Sequence, residues 1–158
     1  MRTAILAALA APLAFLGLVA TANAEPPEAW IYAGMQGGAM GWEASSIERD
    51  ARTGTASALR FFYFARPEAG AKGDFSWAFQ NIEFDCAANT FRLMDGAFFN
   101  KARRGRSDQG GSEDMLPIQD NTPEYVLKRV VCDNAVLSGS QTAASMVDAM
   151  DGAEKVAG

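Results

Sequence analysis

Between residues 28 and 99 the chain alternates apolar and polar positions in short runs cut by turn-forming residues, the mark of successive β-strands. Residues 28–34 read as a first strand, bounded by Pro27 and the Gly37-Gly38 pair. Met40 to Ala44 and Ser46 to Arg49 read as a second strand with Trp42 as its core residue, and Asp50 to Gly54 as the next turn. Ser57 to Arg66 is the clearest strand: Leu59, Phe61, Tyr63 and Ala65 share one side, Arg60, Phe62, Phe64 and Arg66 the other. Apolar character on both sides predicts a central place in a sheet. Phe75, Trp77 and Phe79 alternate correctly, but Ile82 and Phe84 fall on the opposite phase. One core face holds all five only if a residue is inserted near Gln80-Asn81, so the pattern predicts a bulge there. Thr90 to Phe99 completes the strands after a turn at Asp85 to Asn89.

The period changes afterwards. Asn100 to Asp114 is polar and glycine-rich and predicts a long mobile loop. Thr122-Pro123-Glu124 then supplies a cap, a proline at the first helical position and an acid in the first turn. The spacing of Val126, Leu127, Val130 and Val131 predicts a helix from Pro123 to Cys132. Ser140 to Glu154 has the makings of a weak, detachable helix only, so residues 135–158 are expected to form a flexible tail. Strands followed by one amphipathic helix predict an α+β fold: an antiparallel sheet of five to six strands with one C-terminal helix on a face.

The N-terminus changes the picture of where this happens. Arg2, an apolar run from Ile5 to Ala20 and the small residues Ala22 and Ala24 have the order of a secretory signal, with cleavage expected after Ala24. The run is short for a membrane span, and no other stretch is apolar enough, so no membrane anchor is expected after cleavage. The remaining residues, 25–158, suit one domain over 25–134 plus the tail. An exported chain has its cysteines oxidised, and there are two, Cys86 and Cys132, so one bridge is expected. Closing a loop of about 47 residues restricts the unfolded chain by about 4 kcal/mol.

Charge and residue chemistry narrow the function. The net charge of −5 argues against nucleic acid as a partner. No histidine occurs in the sequence, which removes imidazole-assisted nucleophiles and histidine-bound metals. Asp108, Glu113 and Asp114 lack the alternating spacing of a calcium loop, and the glycine clusters lack the lysine-serine and helix start of a phosphate cradle, so no cofactor or metal is expected. Glu83 and Asp85, two apart on a strand, are the remaining acid/base pair, and the strand phase turns them to solvent. Trp30, Trp42, Phe61, Tyr63, Trp77 and Phe84 are core material at strand spacing. One charged feature stands apart: Lys101, Arg103, Arg104 and Arg106 crowd into a single loop of an acidic protein, where guanidiniums can fork onto carboxylates, sulfates or phosphates.

The arrangement resembles the surface-adhesin protein E-like proteins of Gram-negative bacteria. The residues carrying the likeness are Trp30, Ser45-Ser46-Ile47, the Leu59 to Arg66 strand, Ile82-Glu83-Phe84-Asp85-Cys86, Phe91-Arg92-Leu93 and Val130-Val131-Cys132. The resemblance implies an antiparallel sheet with a packed helix and an adhesion role at the cell surface, and it supplies no catalytic residues. The founding adhesin is lipid-anchored, whereas here no cysteine follows the expected cleavage site. The reading is therefore a non-catalytic periplasmic or secreted binding module for a protein or anionic glycan, with Lys101, Arg103, Arg104 and Arg106 as its contacts. The alternatives are a small enzyme using Glu83 or Asp85, and a carrier of an apolar ligand between helix and sheet.

Overall fold

The computed structural model describes residues 29–70 and 73–157. The expected signal peptide lies outside them. Turn chemistry sets the elements: β1 (Trp30–Met35), β2 (Gly38–Glu43), a short 3₁₀ turn at Ala44–Ser46, β3 (Glu48–Asp50), β4 (Thr55–Glu68), β5 (Phe75–Asp85), β6 (Thr90–Phe99), β7 (Ser107–Gly110), β8 (Leu116–Pro117), α1 (Pro123–Asp133), β9 (Gln141–Ala143) and α2 (Met146–Val156). The strands form one antiparallel sheet in the order β7-β6-β5-β4-β2-β1-β9, with β3 added beside β4 and β8 beside β6.

β4 is central, as its two apolar sides predicted. One flank pairs with β5, while the other is shared end to end by β3, opposite Thr55–Ser57, and β2, opposite Arg60–Phe64. Leu59 falls in the gap between these partners. Its N–H donates to the Ser46 hydroxyl at 2.8 Å, and that hydroxyl donates to the Glu43 carbonyl at 2.7 Å, so the 3₁₀ turn completes the ladder.

The sheet has more strands than the pattern predicted, and both of its faces are covered. Ala56, Ala58 and Phe62 of β4 pack with Trp42, Ile82 and Phe84 under Leu127, Val130 and Val131 of α1. Phe61 and Tyr63 pack with Trp30, Tyr32 and Trp77 under Ala149, Met150 and Ala153 of α2. Two cores explain the phase slip in β5: Trp77 points to the α2 core, Ile82 and Phe84 to the α1 core. β5 therefore stays in unbroken register with β4 from Trp77 to Asp85, and the expected inserted residue in β5 is not found. A register shift does occur at that level, but on the other side. Asn81 faces Asp95 and Ile82 faces Leu93, which leaves Met94 of β6 as the extra residue.

α1 runs one residue beyond expectation. The Thr122 hydroxyl accepts from the Tyr125 N–H, Pro123 opens the first turn, and Asn134 closes the helix in the left-handed conformation. Cys132 is bonded to Cys86 at the end of β5. Arg49 of β3 donates to the carbonyls of Val131 at 2.6 Å and Val130 at 3.4 Å, placing a cation at the negative end of the helix. Arg60 of β4, only 3% exposed, reaches the other end, donating to Glu124 at 2.8 Å and to Gln80 at 3.0 and 3.2 Å while lying over the Phe62 ring. Burial pushes this guanidinium below its ordinary pKa, and the Glu124 carboxylate opposes that shift.

The segment expected to be a flexible tail instead supplies an edge strand and a second helix. β9 pairs with β1, and the Tyr32 hydroxyl donates to Gln141 at 2.9 Å. α2 begins at Ser145, whose hydroxyl accepts from the Asp148 N–H. Small residues let it lie close to the sheet. A Cβ on Gly152 would stand 2.1 Å from the Tyr32 hydroxyl, and one on Gly34 of β1 would stand 2.9 Å from the Val156 carbonyl.

Candidate functional site

Residues 100–106 form the turn between β6 and β7, so most of the expected mobile loop is the tip and returning strand of a hairpin. Asn100 closes it three times. Its N–H donates to the Arg104 carbonyl at 2.9 Å, its carbonyl accepts from the Arg103 N–H at 2.8 Å, and its side-chain oxygen accepts from the Arg104 N–H at 3.0 Å. Arg103 and Gly105 have φ of 59° and 72°, the left-handed conformation such a tight turn requires. β7 returns against β6 with Ser107 opposite Phe98.

The four cations expected to act together are divided by this geometry. Arg103 turns inward over the Trp77 ring, 5.4 Å from its centroid, and donates to Asp151 at 2.6 Å and Glu154 at 3.2 Å, both on α2. Partial burial works against its charge, but the bonds to the two carboxylates outweigh it and raise its pKa. Arg106, the last residue of the turn, pairs with Asp108 of β7. Lys101 and Arg104 remain exposed, and among the described residues neither has an ion-pair partner within 4 Å. Of the four, Lys101 and Arg104 are therefore the cations without an ion-pair partner among the described residues, carried on a turn whose backbone is closed at Asn100.

Below this turn, where β5 begins and β6 ends, lies an open cleft of about 400 Å³. Phe75, Phe98 and Phe99 line it, with Asp74, Asn100 and Gln109 among its polar residues. The sequence pattern treated these phenylalanines as ordinary strand residues. The one signal was the Phe98-Phe99 pair beside the polar loop, which sends one ring to each side of the strand. The aromatic residues weighed as a ligand slot lie elsewhere: Trp30, Trp42, Phe61, Tyr63, Trp77 and Phe84 are all buried in the two cores.

Glu83 and Asp85 do not converge. Glu83 is held by Arg92 at 2.8 Å and borders a shallow groove, while Asp85 accepts the N–H groups of Ala87 and Ala88 and shapes the turn before Asn89. Among the described residues no three acidic or cysteine side chains gather as a metal site, and no helix is long and apolar enough to cross a membrane. Between α1 and the sheet, Leu127 and Val131 fill the space, leaving a cavity of about 350 Å³ at the helix start beside Met35, Met40 and Val126.

In comparison with known proteins, the family model described as surface-adhesin protein E matches residues 30–133. No curated protein and no solved structure matches the chain. The matched segment ends at the last residue of α1, so β9 and α2 lie beyond it.

Proposed function

The chain belongs to the surface-adhesin protein E family, and from that premise we propose that it is an exported, non-catalytic binding module of the cell envelope, contacting an acidic protein or anionic glycan through the β6–β7 turn. The observation that carries this reading is the outward pair Lys101 and Arg104 on a turn whose backbone is closed at Asn100. A turn whose backbone is already fixed loses little further freedom when an anion docks, so the charge it carries adds to affinity and to association rate. The protein as a whole carries a net charge of −5, against which the basic residues of this turn stand out as a local concentration of positive charge. Disulfide closure suits an oxidising compartment, as the signal-like N-terminus does. The four-cation site of the sequence reading becomes a two-cation site, because Arg103 and Arg106 already hold carboxylates.

The test uses the full mature chain and its Lys101→Ser/Arg104→Ser double variant. The variant is expected to melt at the same temperature and to elute from an immobilised polyanion at clearly lower salt. Identical elution would remove the turn as the contact surface.

A further inference from the structure

The turn that carries Lys101 and Arg104 borders an aromatic cleft through Asn100 and Gly105, and the two together have the composition of a sugar site. We propose that the cleft takes one ring of an acidic saccharide, a polyuronate-type glycan, with the ring in the cleft and carboxylates of the chain on Lys101 and Arg104. This deepens the reading given above and rests on it.

The wall is aromatic and fixed. Phe75 and Phe98 have centroids 4.8 Å apart with their planes tilted by 57°, and Phe64 meets Phe75 edge-on at 5.6 Å. Phe75 and Phe98 are half-buried, so each ring keeps accessible surface while its other atoms are packed. A pyranose ring presents a patch of C–H bonds that such a surface accepts, and hydroxyls around the edge that need planar donors and acceptors. The rim supplies them. The Asn100 side-chain oxygen is taken by the Arg104 N–H, which leaves its amide nitrogen as the free donor. Gly105 lies beside that nitrogen: a Cβ there would be at ordinary contact distance, 3.5 Å. Asp74 and Gln109 are exposed, and neither side chain has a hydrogen bond within the described residues. A volume of about 400 Å³ is within the ~300–1,000 Å³ range of small-molecule sites.

The same residues disfavour other ligands. A hydrocarbon would leave the amide and carboxylate rim unmatched. A bare phosphate or sulfate would meet the Asp74 and Asp108 carboxylates, the latter only partly offset by Arg106. A sugar acid avoids this conflict because its charge projects from the ring. Lys101 follows Asn100 and Arg104 precedes Gly105 in the chain, so both cations flank residues that line the cleft.

Titration calorimetry on the mature chain tests this with tetragalacturonate, its fully methyl-esterified form, and polyglutamate as a polyanion without rings. Tetragalacturonate is expected to bind. Phe75→Leu keeps apolar bulk but removes the ring face, and Gln109→Ala removes a rim amide. Each is expected to weaken binding about fivefold or more with an unchanged melting temperature. Lys101→Ser/Arg104→Ser should weaken the acid about tenfold and leave the weaker-binding ester unaffected. If the cleft variants bind tetragalacturonate like the parent, or polyglutamate binds as tightly, the saccharide site is overturned while the cationic contact survives. If no probe binds and the turn variant matches the parent on the polyanion column, both fall.

Discussion

The helices α1 and α2 occupy opposite faces of one sheet and hold to it by different means. α1 is fastened at both ends: by a disulfide and Arg49 at its C-terminus, and by the pair between the buried Arg60 and the half-buried Glu124 at its start. α2 has no covalent tie and no buried ion pair among the described residues. It rests on close fit, with Ala149, Gly152 and Ala153 against Tyr32 and its neighbours, and on the half-exposed Arg103 bridge to Asp151 and Glu154. The family match ends where α1 ends. The face within the matched segment thus carries the covalent tie, while the face completed by the C-terminal segment is held by packing and a half-exposed ionic bridge. Since Arg103 also belongs to the β6–β7 turn, α2 is connected to the candidate site.

The difference can be broken most forcefully on the α1 side. Cys86→Ser with Cys132→Ser is expected to lower unfolding free energy by about 4 kcal/mol, read by urea titration of oxidised parent and variant. Arg60→Met leaves the buried Gln80 and the half-buried Glu124 without their donor and should cost about 2 kcal/mol, part of which returns when Glu124→Leu is added. On the α2 side, Gly152→Ala drives a methyl group into the Tyr32 ring. It should cost about 2 kcal/mol, and hydrogen exchange should show the loss in α2 and β9 while α1 stays protected. Arg103→Ser removes a bridge that solvent already screens, so a change well under 1 kcal/mol is expected, smaller still at high salt. Equal loss of protection in both helices for either α2 variant would erase the distinction between the faces.

How far the fold was legible depended on where the information lay. β4, β6, the α1 cap and the bridge were readable because strand alternation, Thr122-Pro123-Glu124 and two lone cysteines are local signals. The second core was not, because Trp77 and Ile82 on opposite phases look like a defect until a helix is known to cover each face. α2 was underrated for a related reason. Its buried surface is mostly alanine and glycine, which score as weak alone and succeed through close approach to Tyr32 and Gly34. β7 reads Ser-Asp-Gln-Gly, with no apolar residue to mark it, and exists because β6 offers a free backbone edge. For the candidate site, the sequence marked out the basic loop but had no means of dividing its charges, since Asp151 and Glu154 are far away in the chain. The neighbouring cleft depends on the ends of β5 and β6 being brought together, which no single segment announces.

The Cys86–Cys132 bridge encloses everything from the start of β6 to the end of α1, and the β6–β7 turn with Lys101, Arg103, Arg104 and Arg106 falls inside that ring. Trypsin-like proteases of the extracellular world favour such an arginine-rich tip. A cut there would open the polypeptide yet release no fragment, because the sulfur link keeps the two pieces one molecule. A nick at this turn would change the geometry around Lys101 and Arg104 while the cross-linked fold stayed in one piece.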